Sequence, residues 1–136
     1  MKEFLKVFNS LAMECVVKVL KVDLDTGTYK ILYINKGENT ISSPFLNDWI
    51  KNNRKKELVH PDYSEAFENI FSVESLKKSL KYKKYLHYRF LRMPNVNMEY
   101  RNTVITALPA EEYSCYLIIY DIEDCWWAKN YLQNNS

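Results

Sequence analysis

Glycine is scarce in this chain. Gly27 and Gly37 are the only two among 136 residues. A Gly-rich phosphate loop and a dinucleotide fingerprint are thereby excluded, because both need several glycines at fixed spacing. Cysteine is also sparse: Cys15, Cys115 and Cys125 form an odd set without CxxC spacing. Neither a disulfide framework nor a zinc site is expected from them, and a reducing compartment fits best. An excess of one charge is missing too, with 19 Lys and Arg against 17 Asp and Glu. The electrostatic footprint of a nucleic-acid-binding domain is therefore absent. Basic residues gather only locally, at Arg54-Lys55-Lys56 and at Lys77, Lys78, Lys81, Lys83 and Lys84. Such runs suit solvated faces and helix C-termini. No apolar run approaches the ~18 residues that span a bilayer. The N-terminus, broken by Glu3, Lys6, Asn9 and Ser10, has no signal-peptide core. A cytoplasmic protein is expected, or the soluble part of something larger.

Aromatic residues are plentiful, at 15% with 11 tyrosines, and Tyr and Phe favour strands. The length suits one domain with a substantial core. Phe4, Val7, Phe8 and Leu11 recur at helical spacing and predict an amphipathic helix within residues 1–13. Cys15 to Leu24 is apolar and β-branched, with Val16, Leu20, Val22 and Leu24 on one face and Lys18 as the exception. Asp25-Thr26-Gly27-Thr28 is turn chemistry, and a second strand from Thr28 to Ile34 completes a hairpin. Asn35 to Ser43 reads as a loop.

Pro44 can open a helix to about Asn52 whose apolar side is Phe45, Leu46, Trp49 and Ile50. Pro61 suits a second helix start, with Phe67, Ile70 and Phe71 facing inward. Ser72 is the expected N-cap of a third, striped by Val73, Leu76 and Leu80. Three strand-like runs follow: Lys84 to Met93, Met98 to Leu108 and Ser114 to Ile122. A four-residue loop, Pro94 to Asn97, would set Met93 opposite Met98 and Arg92 opposite Glu99. The expected fold is α+β: a five-stranded antiparallel sheet with short helices across one face and flanking terminal helices.

Four short segments in this order resemble PAS sensory domains, in the variant found upstream of GGDEF cyclase (diguanylate cyclase) or histidine kinase modules of bacterial signalling proteins. Val19 to Thr28 is similar to their first hairpin. Leu58-Val59-His60-Pro61-Asp62-Tyr63 is similar to a "V-H-P-[DE]-D-R" helix opening. Tyr88-Arg89 resembles their "Y-R" strand, and Tyr120-Asp121-Ile122-Glu123-Asp124 the "D-I-[TD]" ending before a signalling helix. The resemblance covers residues 14–124, with 125–136 as the start of a signalling helix or a tail. Departures are Tyr63 and Ser64 in the helix opening, the Pro94–Asn97 turn, and Tyr100 near the place of a usual tryptophan. No cyclase, kinase or DNA-binding output follows Asp124.

The resemblance implies a non-enzymatic sensor that binds a small molecule or partner domain, dimerises, and acts on an output domain absent from this chain. If the face carrying His87, Arg89 and Asn102 points into a cavity, those groups with Tyr100, Trp49, Phe67 and Phe71 would form a ligand pocket. Arg89 would then favour a carboxylate or phosphate. If the face points outward, these are sheet-surface residues. The aromatics are more simply read as core. Phe4, Phe8, Leu11, Asp121, Trp126 and Trp127 are the candidates for dimer contact and relay. No metal site and no cofactor is predicted: flavin photochemistry in this family needs a cysteine among the helices, and haem needs an axial ligand for which His60 is poorly placed. Two other readings stand beside the sensor. One is a small enzyme using His60 or His87 with an acidic neighbour such as Asp62; the other is a ligand-free dimerisation module.

Overall fold

The structure is a computed structural model that describes residues 15–82 and 85–123. Its elements run β1 (Val16–Asp23), β2 (Thr28–Ile34), α1 (Leu46–Lys55), α2 (Pro61–Phe71), α3 (Val73–Ser79), β3 (Leu86–Arg92), β4 (Arg101–Ala110) and β5 (Ser114–Asp121). All five strands join one antiparallel sheet in the order β2-β1-β5-β4-β3. The fold is α+β, with three helices between the second and third strands. The helix expected around Phe4, Phe8 and Leu11, and the tail carrying Trp126 and Trp127, lie outside the described residues.

The first hairpin follows its turn chemistry. Gly27 adopts φ 76°, a left-handed backbone that costs a side chain and suits glycine. Its N–H donates to Asp23 O at 2.8 Å, and the Asp23 carboxylate accepts from the N–H groups of Asp25 and Thr26. The central strands β1 and β5 are buried along most of their length. One face holds Leu20, Val22, Ile105, Ala107, Leu117 and Ile119 against Leu46, Trp49, Ile50, Phe67, Phe71, Val73 and Leu76 of the helices. The other gathers Val16, Val19, Tyr116 and Ile118 in a cluster of its own.

Strict alternation along β1 fails. Its register shifts between Val16 and Lys18 against β5, and between Val19 and Leu20 against β2. An irregularity of this kind breaks the period-2 rule. Val16, expected beside Leu20 and Val22, therefore packs on the opposite face with Val19. Lys18 turns toward the helices, with Nζ 5.7 Å from the centre of the Trp49 ring.

Helix α1 begins two residues later than the proline suggests. Phe45 is its N-cap position, and about half of the Phe45 surface remains exposed (49%). The backbone N–H of Tyr29 takes the Pro44 carbonyl, and an isolated bridge pairs Phe45 with Thr28. That pairing holds the segment extended against β2, so the helix starts beyond it. The α2 and α3 starts are as their sequences predict: Pro61 is N1 after His60, and the Ser72 hydroxyl accepts from Ser75 N–H at 3.3 Å.

The β3–β4 pairing differs from the four-residue-loop expectation by two residues. Arg92 faces Arg101, Leu91 faces Asn102 and His87 faces Thr106. A shift of two keeps every side chain on its expected face, because the strand period is two. The connection is longer, residues 93–100, because both strand ends are taken elsewhere. Met93 N–H donates to Leu58 O, His60 N–H donates to Leu91 O, and Val59 bridges Arg92. Arg92 pairs with Glu38 and Arg101 with Asp121, so each guanidinium in this like-charged cross-strand pair has its own carboxylate.

The cysteines also depart from expectation. Cys15 is disulfide-bonded, whereas Cys115 is a buried free thiol. Among the described residues, no helix is long and apolar enough to cross a membrane.

Candidate functional site: a buried ionic cluster

The seven ligand-pocket candidates fall on two sides of the sheet. Trp49, Phe67 and Phe71 are in the core between helices and sheet. His87 and Arg89 are exposed on the face turned away from the helices, where Arg89 Nη2 donates to Asn102 Oδ1 at 3.4 Å and His87 stacks on Tyr85. Tyr100 sits in the β3–β4 connection, its hydroxyl donating to Glu57 O at 2.6 Å and its ring against His60. The structure therefore brings no complete set of the seven together.

His60 has a structural task. Its Nδ1 accepts the Asp62 N–H at 3.1 Å, satisfying one of the free donors at the α2 N-terminus. The Asp62 carboxylate 3.8 Å away is largely in solvent. The one His–acid contact among the described residues is thus at the surface, away from the helix-covered core. No group of three or more His, Cys, Asp or Glu side chains among these residues is placed to share a metal ion.

The polar chemistry of the interior lies elsewhere, where β1, the β2–α1 loop and the end of β3 meet. Lys18 is 2% exposed, and the Glu38 and Arg92 side chains 3% and 5%. Glu38 spans Arg92: its Oε1 accepts from Nη2, and its Oε2 lies 3.4 Å from Nη1. Lys18 Nζ donates to Asn39 O at 2.7 Å and stands 3.9 Å from Glu38 Oε1. The Trp49 ring lies beside the ammonium, a favourable cation–π arrangement. Asn53 Nδ2 donates to Trp49 O at 2.7 Å and anchors that part of α1.

Charges leave water only at high cost, so such a cluster must satisfy itself. Here it does so incompletely. Arg92 Nε and Asn39 Nδ2 are buried without an acceptor. Two cations also face a single carboxylate. Lys18, noted in the sequence only as an exception to a pattern, is the one signal that pointed here. Nothing in their local sequence marks Glu38 or Arg92, which join it from far along the chain.

Burial, and after it the Arg92 guanidinium, push the Lys18 ammonium down to about 8, with Glu38 acting in the opposite direction. The folded chain then binds fewer protons here than the unfolded chain between about pH 8 and 10.5. Stability must rise with pH across that window, by up to ~1.4 kcal/mol per pH unit. Cys115 opposes it. Burial pushes this thiol from 9.0 up to about 12, so the folded chain keeps a proton the unfolded one releases. Stability from that group falls above about pH 9. Tyr29, which is buried, and Tyr120, which is half-buried, are both raised by desolvation and add to the fall at higher pH. The expected profile climbs from about pH 8 to 9, is nearly flat for the next unit, then declines. Urea denaturation across this range tests it. Lys18→Met should abolish the climb; identical profiles for variant and parent would remove Lys18 from the account.

Among the described residues, surface depressions include the following three. One is lined by Lys21, Thr28, Lys30, Glu111 and Glu112, one by residues of α1, α2 and the start of α3, and one by Lys77, Leu80, Lys81 and Tyr113. None includes Lys18, Glu38 or Arg92.

The fold and interior define an α+β domain whose helix-covered sheet face encloses a cationic cluster. Neither a protein-family model, a curated protein nor a solved structure matches this chain.

Proposed function

We propose that this chain is a PAS-like, non-enzymatic sensory domain of a bacterial signalling protein. It binds a small molecule or a partner domain and relays the change through its terminal segments and a homodimer. The architecture supports this reading: a five-stranded antiparallel sheet with its helices between the second and third strands is what the four sequence segments imply. The single observation that carries it is the buried cluster of Lys18, Glu38 and Arg92. Charged groups with unused donors in an apolar interior cost stability, and binding sites are where proteins retain them. The relay is a population shift, so a ligand changes the state only by binding one arrangement better. Asp121 fits a relay position: at the end of β5, it pairs with Arg101, and its N–H donates to Cys15 O.

The ligand-free dimerisation module is favoured by a different observation. The Phe67 ring centre lies 5.9, 5.4 and 5.2 Å from those of Trp49, Phe71 and Phe90, so aromatic packing fills this part of the core. Native mass spectrometry beside the denatured mass separates the two. The expected result is a dimer with excess mass on each subunit, which the denatured sample loses. A dimer of bare mass would favour the dimerisation module, and a bare monomer would end the relay proposed here.

A further inference from the structure

We infer that Lys18 and Arg92 form a binding site for a small carboxylate of the acetate class, and that Glu38 is the chain's own occupant of that site. Its use in signalling rests on the sensor reading above; the site itself does not.

The two cations stand on regular structure, Lys18 in β1 and Arg92 at the end of β3. The anion stands on a loop. Glu38 follows Gly37, whose φ of 89° is a left-handed backbone with no atom within contact distance of a Cβ placed there. Such a residue lets the loop turn freely. The segment is held by few backbone bonds: Asn35 N–H to Val17 O, Glu38 N–H to Asn35 O at 3.3 Å, and Asn39 N–H to Pro94 O. Its release would break little regular structure.

The contacts Glu38 makes are those any carboxylate would make. It lies across the two terminal nitrogens of Arg92, the fork geometry that a guanidinium offers a planar acid. Lys18 adds a second positive group beside the same oxygen. Glu38 also leaves capacity unused, because Arg92 Nε and Asn39 Nδ2 have no acceptor. Two cations to one anion leave the locus positively charged. An incoming acid meets the donors Glu38 now holds and the Arg92 Nε–H, which it does not reach. The space Glu38 vacates is that of one carboxylate with a short stem, beside the Lys18 ammonium that itself lies against the Trp49 ring. That size selects acetate-like acids over bulky ones. Displacement of Glu38 moves residues 35–43 while the sheet stays in place, which is a ligand-dependent change confined to one loop.

Glu38→Gln tests the site with sodium acetate as the probe and sodium chloride at equal ionic strength as the control. The neutral amide cannot neutralise the cations, so the variant should gain thermal stability saturably in acetate and not in chloride. The parent chain, whose Glu38 competes, should need about tenfold more acetate for the same gain. The double variant Arg92→Met, Glu38→Gln, which lacks the fork that holds the carboxylate, should lose most of the acetate response. Should Glu38→Gln fail to fold in plain buffer, far-UV circular dichroism across an acetate titration reads the same site as acetate-dependent refolding. Equal responses to acetate and chloride, or no acetate-dependent refolding, overturn the inference. Mass carried by the parent chain in the native spectrum, with no acetate response in Glu38→Gln, would leave the sensor reading standing and remove this site. An acetate response beside a bare parent chain would support the site and count against the sensor reading.

Discussion

Replacing Arg92 with methionine should destabilise the domain by about 3–5 kcal/mol. The substitution keeps an apolar stem of similar length, so packing loss is small. What it removes is the only guanidinium facing Glu38 among the described residues, and the Glu38 side chain is 3% exposed. A buried carboxylate without its main partner must either take up a proton or pull the loop into water, and both cost stability. Lys18→Met is the informative contrast. It leaves the Arg92–Glu38 pair balanced, keeps apolar contact with Trp49, and loses one bond to Asn39 O. Its expected change near neutral pH is no more than ~1 kcal/mol, because exchanging a buried charge for a packed apolar group is often near neutral. Urea denaturation of both variants measures the difference. Equal losses would mean that the three charges do not divide as a bound pair plus one extra cation.

Phe67→Ala should cost about 3–5 kcal/mol, the usual loss on truncating a fully buried aromatic side chain. Phe67 is 2% exposed on α2 and touches rings from three elements: Trp49 of α1, Phe71 of its own helix and Phe90 of β3. Its removal leaves a cavity where the helices meet the sheet, and the stiff neighbouring rings can fill it only in part. Tyr82, 84% exposed, is the matched control, with Tyr82→Ala expected within ~0.5 kcal/mol of the parent. Thermal and urea unfolding should agree. A loss below ~1.5 kcal/mol for Phe67→Ala would mean that the helices do not close on the sheet through this residue.

Much of the fold was legible because its signals are local. Thr28 to Ile34 needed only strand propensity after a Gly27 turn, and Pro61 with Ser72 marked two helix starts by their own backbone chemistry. Phe67, Phe71, Val73 and Leu76 declared their inward side by spacing. The facing of β3 and β4 side chains also survived a two-residue error in register, since parity alone assigns the face. The errors arose where a distant partner overruled a local rule. Phe45 was drawn against β2, Val16 was displaced by an irregular strand, and Arg92 chose Glu38 over Glu99.

The candidate site was hardly legible. Its members are Lys18, Glu38 and Arg92, and the loop that carries Glu38 has no pattern to set its path. The polar residues that looked most like a pocket, His87, Arg89 and Asn102, share a strand face as expected. Which way that face pointed depended on where the helices lie.

By itself, the sequence determined the class of fold, the order of its elements and most of the residues that form its core. These follow from periodicity, turn chemistry and capping, which act over a few residues and need no distant partner. The tertiary structure alone decided which sheet face the helices cover, which strand positions break alternation, and which charges meet inside. Those outcomes depend on contacts between residues as far apart as Glu38 and Arg92. There, desolvation and ion pairing outweigh the preferences of each short segment.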